Sequence, residues 1–371
     1  MAGHDGLAMV AGHDGFGHGG RIDTCRLDSP RQPMPPSLIV LADDLTGALD
    51  TAARFVPLAG TLPAVWSTTD LPAAAAVDTG TREADAATAE AAMARFAPVL
   101  RHADLAFKKI DSLLRGHVRR ELTACLDGFD RCLLAPAFPF QGRITRNGQQ
   151  FTRTADGWRA IDVALNGIDP RVQVCDAETN ADLAAIVAAG CALPGRTLWC
   201  GTAGLAGALT GFQPVPSPPL PGPVLALVGS DHPVSLAQLA EIGPWHLRLP
   251  DASHAAVRAR LTEGAAAVSL ALPGATNRAE ARHRIALAFQ ALLTQIDRPG
   301  TLFVTGGETL RGLCDALGAT GLQVDGEIEP GMPTSRLRGG AWDGQRVVSK
   351  SGAFGDVACL ARLLASAPRT C

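Results

Sequence analysis

A chain of 371 residues, 47% hydrophobic and 19% charged, has an ordinary soluble globular composition and enough length for two domains with their own cores. A net charge of −3 at pH 7 implies no basic face for nucleic acid, and no apolar run approaches the ~20 residues of a bilayer span. Nine single cysteines without a CxxC pair fit reduced thiols in a cytoplasmic protein better than a disulfide framework or a zinc site.

Residues 1–33 are expected to be a disordered tail. Ala2-Gly3-His4-Asp5-Gly6 recurs as Ala11-Gly12-His13-Asp14-Gly15, and the segment has no hydrophobic period. It does not read as a secretory signal. A literal G-x-G-x-x-G at Gly15, Gly17 and Gly20 follows no strand and is rejected as a dinucleotide fingerprint. Met34, directly before the first strand, stands as a candidate start of the native protein.

From there short apolar runs alternate with alanine-rich amphipathic segments. Strands are predicted at 38–42, 63–67, 75–78, 105–109, 132–135, 172–175 and 198–200, with helices including 47–55, 83–101, 118–126 and 181–189. Prolines from Pro214 to Pro223 read as an extended linker and place a domain boundary at 214–223. The second domain repeats the alternation, with strands at 224–228, 246–249, 266–270, 302–305 and 347–349 and helices at 233–242, 255–263, 278–295 and 309–317. The fold class is α/β: two domains, 34–213 and 224–371, each a mostly parallel sheet flanked by helices.

Polar and glycine-rich residues cluster at the carboxyl ends of these strands, where open α/β sheets bind ligands. Asp43 and Asp44 end the first strand. One acid suffices to cap the next helix, a task open to Asp44 or Thr46; the second reads as a ligand for hydroxyls, magnesium or a proton. Lys108-Lys109-Ile110-Asp111-Ser112 ends another strand, and Arg115 near a helix start is in the wrong place for the helix dipole unless an anion binds there. A Lys–Asp surface pair is the plain alternative. Asn147-Gly148 predicts a tight hairpin turn, and Arg143 upstream either faces an acidic ligand or belongs to a purely structural loop.

In the second domain, Gly229-Ser230, Thr305-Gly306-Gly307-Glu308-Thr309 and Lys350-Ser351-Gly352 each follow a strand. Such turns offer backbone N–H groups, and here one lysine, to a phosphate chain without a Walker sequence. Glu308 suits ribose hydroxyls, a magnesium-bound water or a cap of the following helix.

These motifs together resemble the four-carbon acid sugar kinases, from about Leu38 to Asp356. The resemblance lies in Ala42–Ala48, Lys109–Gly116, Pro136–Pro139 with Gly142–Arg143, Gly229–Ser230, Gly306–Thr309 and Lys350–Gly355, six motifs in order with matching spacing. It implies an ATP- and Mg2+-dependent kinase of threonate, erythronate or a 3-oxo-tetronate, with the active site in the interdomain cleft. The amino domain would bind the acid and the carboxyl domain ATP. By carry-over, Asp43, Asp44, Lys109, Asp111, Ser112 and Arg115 would meet the substrate, and Ser230, Gly306 to Thr309 and Gly352 would meet ATP. Asp43 or Asp44 would take the hydroxyl proton, Arg115 and Lys109 would grip the carboxylate, and Lys350 would neutralise phosphate. No metal ligand is assigned, and a homodimer is left open. Leu113, His117 and Ala353 depart from the family pattern, the first two beside the expected substrate pocket, so a branched sugar acid is one alternative. A non-catalytic metabolite-binding protein of the same fold is the other. A dehydrogenase lacks its strand-linked fingerprint, and a P-loop kinase lacks G-x-x-x-x-G-K-[ST].

Overall fold

The computed structural model describes residues 37–212, 219–274 and 276–365. The expectations for the tail, for Met34 and for 214–218 lie outside the described residues.

The amino lobe runs β1 (Leu38–Ala42), α1 (Leu45–Ala59), β2 (Leu62–Val65), β3 (Ala74–Asp78), α2 (Ala86–Phe96), β4 (Leu105–Lys109), α3 (Val118–Cys125), β5 (Arg131–Ala135), β6 (Arg143–Arg146), β7 (Gln149–Thr154), β8 (Gly157–Ala160), β9 (Val172–Val174), α4 (Asn180–Cys191), β10 (Thr197–Gly201) and α5 (Ala203–Thr210). The carboxyl lobe runs β11 (Val224–Val228), α6 (Pro233–Glu241), β12 (His246–Leu249), α7 (His254–Thr262), β13 (Ala265–Leu270), α8 (Arg278–Leu293), β14 (Thr301–Thr305), α9 (Gly307–Ala316), β15 (Gly321–Glu329), β16 (Met332–Arg338), β17 (Arg346–Lys350) and α10 (Cys359–Ala365).

Strands such as β1 (LIVLA) and β11 (VLALV) are apolar throughout because helices cover both faces of a parallel sheet. The order is β12-β13-β11-β14-β17-β16-β15-β2-β3-β1-β4-β10-β5-β9. Pairing is parallel on both flanks and antiparallel only at β17–β16, β16–β15 and β15–β2. The β15–β16 hairpin thus splices the lobes into one sheet.

The lobes also share apolar packing. One apolar layer on a single face runs from Leu38, Leu49 and Phe55 to Phe289, Leu310 and Val347, so α1, α8 and α9 share it. The opposite face carries a separate cluster in each lobe.

The helix expected over 83–101 is shorter. Asp85 caps α2 by accepting from the Thr88 N–H (2.8 Å), and α2 yields to a 3-10 turn, Ala97–His102, where Pro98 brings no N–H to the α-helical ladder. Asn147 and Gly148 take positive φ angles of 51° and 72°, and join β6 to β7 as the hairpin their sequence predicts.

Candidate active site

Parallel register brings the strand ends of the amino lobe level. Ala42 sits opposite both Asp78 of β3 and Lys109 of β4, so the residues just beyond them emerge side by side. Asp43 is buried, and Arg82 grips it with two hydrogen bonds of 2.8 and 2.7 Å. Burial alone would raise its pKa; the Arg82 charge and hydrogen bonds, with Lys108 and Lys109, outweigh that and hold it below the usual range.

Asp44 sits differently. One oxygen caps α1, accepting from the Gly47 N–H at 2.8 Å, and the other meets Arg82 at 2.5 Å. Burial raises its pKa, and the Asp43 charge adds to the rise while Arg82 and Lys109 oppose it. Both readings of the acid pair fall on Asp44: it is the cap, and it is also the carboxylate whose proton affinity is raised.

Lys109 lies beneath the Asp44 turn, where a Cβ on Gly47 would stand 3.0 Å from Nζ, and it donates to the Ile110 carbonyl (2.9 Å). Lys108 is spent on Glu121 (2.6 Å), a buried structural pair. Asp111 accepts from the backbone N–H of Leu113 and Arg115 (both 3.2 Å) and from the Arg115 guanidinium (2.7 and 2.8 Å). It therefore organises the turn and orients Arg115, rather than presenting free oxygens. Burial would raise its pKa; the Arg115 hydrogen bonds and the Arg82 charge drive it well below the carboxylate range. Ser112 opens the same turn, and its carbonyl accepts from Gln150 (3.1 Å).

Arg143 borders this cluster. Its Nη1 reaches the Gln141 side chain at 3.2 Å, but its buried Nε has no acceptor among the described residues. Gln150, fully buried on β7, accepts from Thr145 (2.7 Å) and donates to the carbonyls of Ser112 (3.1 Å) and Pro136 (3.0 Å). The small β6–β8 sheet is thereby the brace behind both the Asp111 and the Pro136 turns.

In the carboxyl lobe, Val228, Thr305 and Lys350 are in register, so the three glycine turns start at one level. A Cβ on Gly352 would lie 2.0 Å from Ser230 Oγ, so only glycine lets these two turns touch. Ser235 donates to the Gly352 carbonyl (2.8 Å), and Gln238 to those of Phe354 and Asp356 (3.1 and 2.8 Å), fixing the 351–356 loop. The Gly306 N–H is already given to the Lys350 carbonyl (2.9 Å), so the open donors of this turn are those of 307–309, the first turn of α9. Thr309 is buried within that turn.

Lys350 is buried, and its Nζ finds only the carbonyls of Ser351 (3.2 Å) and Phe354 (3.1 Å). No described carboxylate pairs with it. Burial pulls its pKa down to about 8.

Glu308 turns aside to Arg282 (3.0 Å) and Arg278 (4.0 Å) of α8, and α9 has no side-chain cap. These pairs are half-exposed and worth under about 1 kcal/mol. Glu308→Gln is therefore expected to lower stability by less than about 1 kcal/mol in urea unfolding; a larger loss would give Glu308 a structural role beyond these pairs.

The two clusters meet. The ring of Phe354 lies edge-on to Phe138 at 6.2 Å. Burial lowers the pKa of His232, and the positive charges of Lys350, Arg143 and Arg115 lower it further against Asp231.

Sequence reasoning missed Arg82. It follows β3 in Asp78-Thr79-Gly80-Thr81-Arg82, one more strand end with a glycine turn, which is the signal that could have found it. Its side chain is 11% exposed and faces Asp43, Asp44 and, at 3.8 Å, Asp111. Removing one partner of a buried ion network costs about 3–5 kcal/mol, so Arg82→Ala is expected to lose that much in urea unfolding at pH 7. A loss below 1 kcal/mol would mean the acids find another cation.

Among the described residues no group of three or more His, Cys, Asp or Glu is arranged to hold a metal ion, and no helix is long and apolar enough to cross a membrane. Of the cysteines described as free, only Cys191 is exposed.

Residues 38–159 match the model of a sugar-binding N-terminal domain, and residues 250–360 that of a nucleotide-binding C-terminal domain. A D-threonate kinase of Cupriavidus necator is 31% identical, the alignment covering 87% of this chain and 96% of that one. The chain belongs to the four-carbon acid sugar kinase family. A D-erythronate kinase of Heliobacterium modesticaldum is 27% identical over 87% of this chain and 95% of its own. Among solved structures of the fold, a Haemophilus influenzae protein superposes with a TM-score of 0.59 at 21% identity, covering 88% of this chain and 99% of the other.

Proposed function

We propose that this protein is a kinase that moves the γ-phosphoryl group of ATP to a hydroxyl of a four-carbon sugar acid, in carbohydrate-acid catabolism. The observation that carries the nucleotide half is Lys350. A buried ammonium with carbonyls as its only described partners is unfavourable until an anion arrives, and three glycine turns open at its level. Family membership, and relatives described as D-threonate and D-erythronate kinases, supply the acid half.

Phosphoryl transfer depends on positioning and charge neutralisation. Arg143, through its unmatched Nε, and the outward edge of Arg115, 48% exposed, grip the substrate carboxylate. Lys109 sets the charge beneath Asp44. Asp44, with its raised proton affinity, accepts the hydroxyl proton; Asp43 holds Arg82 in place for it. The N–H groups of 307–309, Ser230 and Lys350 hold the phosphates. Magnesium, when bound to the nucleotide, offsets phosphate charge. It keeps most of its waters and needs few protein oxygens, so a site without a carboxylate cage among the described residues fits it.

The departure at His117 bears less on substrate choice than its position suggests, because its Nε2 is hydrogen-bonded to the Ala84 carbonyl at 2.7 Å. Leu113 remains the variable for a branched acid.

The test is ADP release with ATP and magnesium against D- and L-threonate, D- and L-erythronate, 3-oxo-tetronates and branched analogues. A strong signal with one acid, lost in Arg143→Ala, is expected. Silence across the panel while ATP still binds would favour the non-catalytic alternative.

A further inference from the structure

We infer that Asp78 and Arg311 form a tie between the lobes that sets the amino end of α9 against the Asp44 turn, which makes both of them positioning residues for phosphoryl transfer. The inference rests on the kinase reading above.

Gly307 and Arg311 are four residues apart and share one face of α9. That face looks at the amino lobe. A Cβ on Gly307 would stand 2.4 Å from Thr46 Oγ1 and 3.4 Å from Asp44 Oδ2, so the helix start rests directly on the acid-bearing turn. One turn further on, Arg311 Nη1 reaches Asp78 Oδ2 at 3.3 Å, and its guanidinium lies 4.7 Å over the Trp66 ring. Leu310 and Leu313, both buried, pin the rest of the helix. The N–H groups of 307–309 therefore cannot move relative to Asp44 without breaking the Asp78–Arg311 pair.

Asp78 is an expensive residue in this place. It is 3% exposed, at the end of β3. The groups facing it are Asp43 and Asp44 from the β1 end, the Gly80 N–H of its own turn (2.9 Å), and Arg311 and Cys314 from α9; Arg311 also pairs through Nε with Asp315 of its own helix (3.1 Å). Burial and the neighbouring acids push its pKa up to about 7. Such surroundings favour the neutral carboxyl, so a charge in this place adds little to stability by itself, and its pairing with Arg311 of the other lobe is what it supplies.

The experiment compares the full chain with Asp78→Asn, Arg311→Gln, their double mutant and Arg311→Lys. Each of the first two is expected to lower kcat roughly ten- to a hundredfold, the scale of a 1 Å misplacement. The double mutant should be no slower than the slower single one, because one interaction is removed twice. Kd for ATP alone and for the acid alone should stay within about twofold, and Arg311→Lys should recover part of kcat. Asp78→Asn should melt no lower than wild type at pH 8, where its charge is the unfavourable form. Independently of turnover, amide exchange at 307–310 should quicken in both single variants. Multiplicative losses, a lower melting temperature in Asp78→Asn, a loss confined to Kd, or unchanged exchange would each overturn the tie. If wild type phosphorylates no acid, the kinase reading fails, and exchange alone decides whether the tie holds.

Discussion

Asp44→Asn is expected to lower kcat roughly a hundred- to ten-thousandfold, the usual contribution of a general base. ATP and acid affinities should stay within a few fold. Asn still accepts the Gly47 N–H, so the α1 cap survives, and Asp43 still holds Arg82 by two hydrogen bonds when the Asp44 contact weakens. The pH profile separates the two acids. Burial and the Asp43 charge raise the Asp44 pKa, so turnover should fall as pH drops through a value above the ordinary carboxylate range. That acid limb should vanish in Asp44→Asn. Asp43→Asn is expected to act through stability, because it strips Arg82 of its two-pronged partner. Its folded pKa is depressed, so the Asp43 contribution is full above the unfolded pKa and is lost as pH falls through the folded one. Equal turnover for Asp44→Asn and wild type would remove Asp44 from the chemistry.

Lys350→Met is expected to cost roughly a hundred- to a thousandfold in kcat/KM, the scale of losing one preorganised charge at a developing anion. The same substitution should stabilise the free enzyme. Folding moves this lysine from a pKa of 10.5 to about 8. At pH 7 both states are protonated, and the buried charge costs about 3 kcal/mol at ~1.4 kcal/mol per unit. Between the two values the unfolded chain binds the extra proton, so the free enzyme gains stability as pH rises from about 8 towards 10.5. ATP binding should move oppositely: affinity falls as pH climbs through about 8 and the ammonium is lost. Calorimetric melting and ATP titration across pH 7–9.5 read both trends. A destabilised Lys350→Met with an unchanged pH profile would place Lys350 in packing alone.

The strand ends were the legible part of this chain. LIVLA before Asp43 and RVVSK before Ser351 are apolar runs that break abruptly into charge and glycine, and local chemistry suffices to mark them as strand and site. Asn147-Gly148 was legible for the same reason, since a tight turn is a local event. The β15–β16 hairpin was not. Its alternation carries Gln323, Asp325 and Glu327, which read as solvent-facing, and bulges at Val324/Gly326 and Glu327/Glu329 break its period. The glycine turn after β3 marks Arg82 as a strand-end residue, but nothing near it in sequence announces the three carboxylates it faces.

The amino-acid sequence by itself determined the alternation of strand and helix, the family, and the set of residues available to chemistry, since each depends on neighbours within a few positions. Only the tertiary structure decided how that set divides. It engaged Lys108 with Glu121, Asp111 with Arg115 and Glu308 with α8, and it left Lys350 with carbonyl partners and the Arg143 Nε without an acceptor among the described residues. Such a division depends on burial and on partners both near and far along the chain, from Asp111–Arg115 at a separation of 4 to Asp43–Arg82 at 39 and Asp78–Arg311 at 233. The free energy of a charge is set by what surrounds it in space, and that is assigned only when the sheet closes.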